Sequence, residues 1–446
     1  MGIGEGVWRR PALALAVALV ALAGCESPHG TSVDPQLALE IGRTKAIDNH
    51  AHPLRVTGAN EKDDEYDALP VAMMEPSPMP VRLNPATGDY LPAMRALFHY
   101  RDADLSAGHV RQYLDDKRKA MRDKGDGYAN WVLDEMGVDT MLANRVSMGR
   151  GLQAPRFRWV PFADALMYPL NNESLAKADP DRKAFFTGEE HLLARYLKED
   201  NLAVLPPKFD DYLKFVTATL ERQKRGGAVA EKFEAAYLRS LDFAAGPKVE
   251  ADRVYSIFAG SALPTDSEYK ELQDYLFRYM AGECGRLGMP VHIHTAAGAG
   301  GYFHVAGTSP LLLESVLNDP SLRKTQFVII HGGWPFTKEA GALLTKPNVW
   351  VDCSTLAYLL YPHAIAEVLR GWLEFMPDKV LFGTDASPIT PETGWEETGY
   401  MAASNNRVAL GMALTDMMRD AEINHDRAME LARMVLRDNA RRLYGW

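Results

Sequence analysis

Cysteine is scarce in this chain: three residues among 446, at Cys25, Cys284 and Cys353. That excludes a disulfide framework. Cys284 and Cys353 sit in apolar, strand-like settings and are expected to be buried thiols. Runs of Lys and Arg are missing as well. With 49 basic against 59 acidic residues, the formal charge is -10. Such a surface opposes nucleic acid, whose binding rests on neutralising phosphates. No internal repeat or low-complexity domain is visible. The apolar run at residues 11–24, PALALAVALVALAG, is the chain's most membrane-like stretch. As a helix it would rise only about 21 Å, too little to span a bilayer comfortably.

What is there begins with that run. Trp8-Arg9-Arg10 gives it a basic start, the pattern of an export signal. Its end, Leu22-Ala23-Gly24-Cys25, resembles the bacterial lipoprotein processing box. The resemblance implies cleavage before Cys25 and lipid attachment to its sulfur. The expected product is an exported, membrane-anchored lipoprotein facing the periplasm. Residues 25–43 look like a polar tether. Residues 44–446 are expected to form a single domain, and a hydrophobic content of 47% is ample for its core.

Within 44–446, short apolar segments alternate with longer amphipathic ones. Strands are expected at 45–50, 138–143, 157–162, 228–233, 290–294, 326–331, 349–353 and 379–382. Helices are expected at 209–224, 265–288, 309–317, 337–344, 362–375 and 426–442. Eight strands with helical crossovers predict an α/β fold, a distorted TIM (β/α)8 barrel. Insertions at about 57–130 and 165–225 would build its C-terminal mouth, where such barrels carry their sites.

The chemistry-bearing residues fall at strand ends. His50 and His52 close the first strand, and i and i+2 share a face. His292 and His294 end the fifth, with His294 nearer the mouth. His331 follows the apolar run Phe327-Val328-Ile329-Ile330 of the sixth. Asp385 lies just past the eighth, in Gly383-Thr384-Asp385. Imidazole suits zinc and related ions, and a carboxylate can both ligate and accept a proton. These motifs resemble the amidohydrolase superfamily, in particular its amidohydrolase-related branch of metal-dependent hydrolases and decarboxylases. Pro347-Asn348-Val349-Trp350-Val351-Asp352 and Asp438-Asn439-Ala440-Arg441-Arg442 extend the resemblance to its seventh strand and terminal helix. It implies His50, His52, His294, His331 and Asp385 as metal ligands, with Asp385 also the acid/base.

Some relatives bridge two metals with a carboxylated lysine on the fourth strand, and Lys232 is the candidate here. The alternative is an internal ion pair with Glu234. One or two divalent ions are therefore expected, zinc first, with manganese, iron or cobalt compatible. Arg158, Tyr237, Tyr302, His304, Trp334 and Tyr361 are candidate substrate contacts for a small-molecule substrate. The leading expectation is hydrolysis of an amide, ester or lactone. The alternatives are non-oxidative decarboxylation of a small carboxylic acid and an inactive, membrane-tethered binding protein. Nothing in the sequence names the substrate or fixes an oligomer.

Overall fold

The computed structural model describes residues 32–446 except 59–60, 71–72, 76–77 and 261–262. Cys25 and the processing box lie outside the described residues. Eight strands occupy the expected places: β1 (Ala46–Ala51), β2 (Val138–Asn144), β3 (Phe157–Val160), β4 (Glu231–Phe233), β5 (Val291–His294), β6 (Phe327–Ile330), β7 (Val349–Asp352) and β8 (Val380–Leu381). All pair in parallel, β1 to β3 in one run and β4 to β8 in another. Single bridges, Trp159 to Ala228 and Phe162 to Lys232, join the two runs. On the other side Asn49 N donates to Phe382 O, and Asp385 N to His50 O, at 2.9 and 2.8 Å. The sheet is a closed barrel.

Two cores result, as the alternation of a barrel strand requires. Ile47, Leu142, Val160, Ala230, Val328, Ile330, Trp350 and Leu381 fill the barrel. The larger core lies between strands and helices. Helix Asp266–Leu287 shows how local signals place the outer layer. Thr265 and Glu268 form a capping box, and Gly288 ends the helix in the left-handed conformation. Helix Pro362–Phe375 starts on proline and buries Ile365, Leu369, Trp372 and Leu373 at helical spacing. The C-terminal segment closes the lower end. There Asn439 donates to the carbonyls of Pro377 and Val380, at 2.9 and 2.8 Å.

Three expectations need correction. The tether at 25–43 ends early, because Pro35–Arg43 is a helix. Asp34 caps it through Gln36 N and Leu37 N, and Leu37 and Ile41 are fully buried. The segment 309–317 forms one 3-10 turn, Pro310–Leu313, and one helical turn, Glu314–Leu317, instead of one helix. Pro310 starts the first of them. The helix at 426–442 is interrupted by a π turn, Met434–Asp438. Cys284 and Cys353 are buried free thiols.

Candidate metal centre

Ile47 points into the barrel, so strict alternation would send His50 outward. The β1–β2 ladder breaks register between Asp48 and Ala51. That irregularity lets both His50 and His52 face the mouth, a common use of a strand irregularity at a barrel rim. Asp48 pins the turn to the last strand by accepting from Thr384 N and Oγ1, at 2.9 and 2.5 Å.

The donor atoms converge. His50 Nε2 and His52 Nε2 are 3.2 Å apart, and each is 3.5 Å from Asp385 Oδ1. Ligand bonds of about 2.0–2.1 Å in a tetrahedral shell put donors about 3.3–3.4 Å apart. The triangle therefore fits one small divalent cation. His331 completes the group: donor atoms of His50, His331 and Asp385 all lie within 4.8 Å of one another. His331 Nδ1 contacts Ser354 Oγ at 2.9 Å and Thr355 Oγ1 at 2.7 Å. Those hydroxyls already donate, to Asp352 and Asp385. His331 Nδ1 therefore carries the proton, and Nε2 is left as the bare donor. His294 stands next to this group, its ring centroid 4.6 Å from that of His331. Its Nε2 contacts Ala296 O at 2.9 Å, so Nδ1 is the nitrogen left for a cation.

The electrostatics suit neutral ligands around a carboxylate. Burial, reinforced by Lys232 and neighbouring imidazoles, holds His50 well below the ordinary histidine range. The same causes lower His294 and His331. Burial also opposes a charge on His52, but Asp67, 3.0 Å from its Nδ1, outweighs that and raises it. Burial pushes Asp385 up to about 6 against the pull of His52, Thr355 and Lys232.

Backbone strain gathers here. His331, Thr355 and Asp385 have φ of 71°, 63° and 62°, a region that costs side-chain-bearing residues roughly 1–3 kcal/mol each. Hydrogen bonds hold them in it. Asp352 Oδ1 accepts from His331 N at 2.8 Å, and Tyr358 and Ser387 hydroxyls donate to Asp385 O, both at 2.8 Å. Gly332, at φ 62°, has no room for a side chain: a Cβ would meet the Trp372 ring at 2.6 Å.

Lys232 lies inside the barrel, fully buried. Its Nζ donates to Glu234 Oε1 at 3.0 Å and Asn144 Oδ1 at 3.2 Å, and lies 3.5 Å from His50 Nε2. Glu234 N in turn donates to Asp164 Oδ2 at 2.7 Å, whereas Asp164 Oδ1 has no hydrogen-bond partner among the described residues. Burial raises Asp164 to about 8 and Glu234 to about 7. A carboxyl raised in the fold keeps its proton after the unfolded chain has lost its own. Its stability contribution is full below about pH 4 and is lost as pH rises towards 8. We expect the thermal midpoint of metal-stripped protein to fall across that window. Asp164→Asn should flatten the fall. Identical slopes in the two proteins, read by scanning calorimetry, would contradict this account.

The candidate substrate contacts separate. Tyr237 is at the site, its ring 4.7 Å from that of His294. Trp334 adjoins it through Trp334 N to His331 O, 3.3 Å. Tyr302 and His304 line a small side cavity with Tyr237, Phe185 and Phe303. Tyr361 is half exposed and lies under the Arg82 guanidinium at 4.2 Å. Arg158 is a correction. It shares the inward face of β3 with Val160 but lies two residues deeper, 5.0 Å over the Trp446 ring at the closed end. It cannot clamp a substrate at the mouth. His292 likewise points down the barrel, 2.7 Å from Tyr444 Oη.

Asn144, Ser354, Thr355, Asp48 and Asp67 are site residues that sequence reasoning missed. For the first three the signal was available: each is a polar residue ending a strand or following one.

A closed parallel barrel with histidines and an aspartate converging at its C-terminal mouth defines a metal-dependent, hydrolase-like protein. A family model described as amidohydrolase matches residues 155–446, and the chain belongs to that family. The match begins after β2, so His50 and His52 are placed by the structure. Among solved structures, a Lactobacillus casei protein described as a putative metal-dependent hydrolase is similar at 16% identity and TM-score 0.57, over 90% of this chain and 96% of that one. Uronate isomerase of Thermotoga maritima is similar at 13% and 0.58, over 80% and 78%. Glucuronate isomerase of Caulobacter crescentus is similar at 13% and 0.57, over 81% and 75%. These likenesses show the fold. Protein fluG of Emericella nidulans is 29% identical over 184 residues, 40% of this chain. The aligned stretch spans only 20% of that protein's length.

Proposed function

We propose that this protein is a metal-dependent hydrolase acting on an amide, ester or lactone of a small organic substrate. The observation that carries this is the triangle of His50, His52 and Asp385 donors, sized for one divalent ion. Its imidazole–carboxylate chemistry suits zinc first, then manganese, iron or cobalt. A cation held there supplies a water of lowered pKa and polarises a carbonyl oxygen. Asp385 is the proton acceptor: burial places its carboxyl near the working range, and the Thr355 hydroxyl fixes its second oxygen. It then returns the proton to the leaving group. Lys232 reads as an ammonium paired with Glu234, so one metal per chain is expected. A carbamate there would set a second negative group against Glu234. Decarboxylation keeps the support of the family resemblance but loses Arg158 as its candidate carboxylate clamp, since that side chain lies over the Trp446 ring.

The test is metal analysis of the purified chain, then chelation and reconstitution against amide, ester and lactone libraries. Turnover that vanishes with the metal and returns with zinc supports the reading. A metal-loaded protein inert on hydrolysable substrates but releasing CO2 from a carboxylic acid would overturn it. The same reading takes the protein as exported and lipid-anchored through Cys25. Loss of membrane association in Cys25→Ala tests that part.

A further inference from the structure

We infer that Asp67, carried on the loop inserted after β1, is a positioning residue that sets which nitrogen of His52 faces the metal. The inference rests on the metal-centre reading above and adds a residue outside the barrel strands to it. Asp67 is partly buried, with a side chain 8% exposed, and its Oδ2 lies 3.0 Å from His52 Nδ1. Its other oxygen, Oδ1, accepts from Leu69 N at 3.0 Å. The carboxylate is thus fixed through Oδ1, with Oδ2 set against the imidazole at ion-pair distance.

The loop that carries it is itself anchored. Arg145, just past β2 and fully buried, donates to both oxygens of Asp63 at 2.8 and 2.9 Å. The same guanidinium donates to Pro53 O at 2.6 Å, one residue beyond His52. Glu65 O accepts from Val146 N at 3.2 Å. Planar, two-pronged Arg–carboxylate contacts fix orientation as well as distance. The chain therefore returns to the rim at Asp67 with little freedom.

The chemical consequence is a fixed tautomer. A carboxylate at Nδ1 keeps the imidazole proton there and leaves Nε2 bare. Nε2 is the atom that stands 3.2 Å from His50 Nε2 and 3.5 Å from Asp385 Oδ1. With the proton on Nε2 instead, the triangle would present a hydrogen to the cation. Partners of this kind behind a ligating histidine are worth about 10–100-fold in metal affinity.

The experiment measures zinc affinity by competition with a chromophoric chelator, and the visible spectrum of cobalt-loaded protein, in three proteins. Asp67→Ala should bind zinc about 10–100-fold more weakly than wild type, with an altered cobalt spectrum. Asp67→Asn, whose amide oxygen still accepts from Nδ1, should recover most of the affinity. Asp67→Ala binding as tightly as wild type overturns the inference, as does Asp67→Asn no better than Asp67→Ala. If Asp67→Ala does not fold, nitrogen-15 NMR of histidine-labelled, metal-stripped wild type decides. At a pH where the ring is neutral, its single proton on Nδ1 of His52 supports the role, and on Nε2 overturns it. Wild-type protein that binds no divalent ion at all would instead sink the metal centre.

Discussion

Asp385→Asn is expected to lower kcat by about 10²–10⁴-fold while metal content stays at the wild-type level. The amide keeps an oxygen where Oδ1 stands, 3.5 Å from both His50 and His52 nitrogens, but it cannot take a proton. The pH profile should change with it. A general base must be ionised, so the rate falls as pH drops through its pKa. Burial sets Asp385 at about 6. A bound cation favours the charged form and moves the limb below that. Wild type should show this acid limb and Asp385→Asn should lack it. Metal analysis of the same samples separates the two roles. A variant that keeps both its metal and most of its rate would remove Asp385 from proton transfer.

Lys232→Met is the second large expectation. Removing one partner of a buried ion pair typically costs about 3–5 kcal/mol, because the other charge stays behind. Here that charge is Glu234, with Asp164 close by, its Oδ1 without a hydrogen-bond partner among the described residues. Burial pushes Glu234 up to about 7 even against the pull of Lys232, so without the lysine it rises further, and the loss should shrink as pH falls and the carboxyl neutralises itself. Denaturant midpoints on either side of neutrality read this. Metal count is the companion measurement. An ammonium contributes no ligand, and its charge lies 3.5 Å from His50 Nε2, so its loss should leave one ion bound. Two ions in wild type falling to one in Lys232→Met would mark Lys232 as a bridge instead.

Much of this was legible because it was local. A histidine two residues from another at a strand end, or an aspartate after an apolar run, reports its own position relative to the barrel mouth. The eight strands and their order followed from the same apolar segments. Arg158 is the second residue of its strand, so the depth rule that separates His292 from His294 already sets it toward the closed end, and reading it as a mouth residue ignored that rule. What could not be read was return. Asp67 reaches His52 because Arg145 grips Asp63, a contact across 82 positions that no local pattern encodes. The helix Pro35–Arg43 was hidden by polar neighbours, although Leu37 and Ile41 have the spacing of a buried face. His292 and His294 were separable because one residue pair along a strand is about 6–7 Å of depth.

The seam that closes the barrel is also where the metal ligands meet. Asp385 N bonds to His50 O, so strand one and strand eight supply adjoining halves of one coordination shell. A chain emerging from synthesis has the histidine half some 335 residues before the aspartate half. The two halves become neighbours only once the barrel has closed. A fragment that stops short of β8 lacks Asp385 and so has only the histidine half of the donor set.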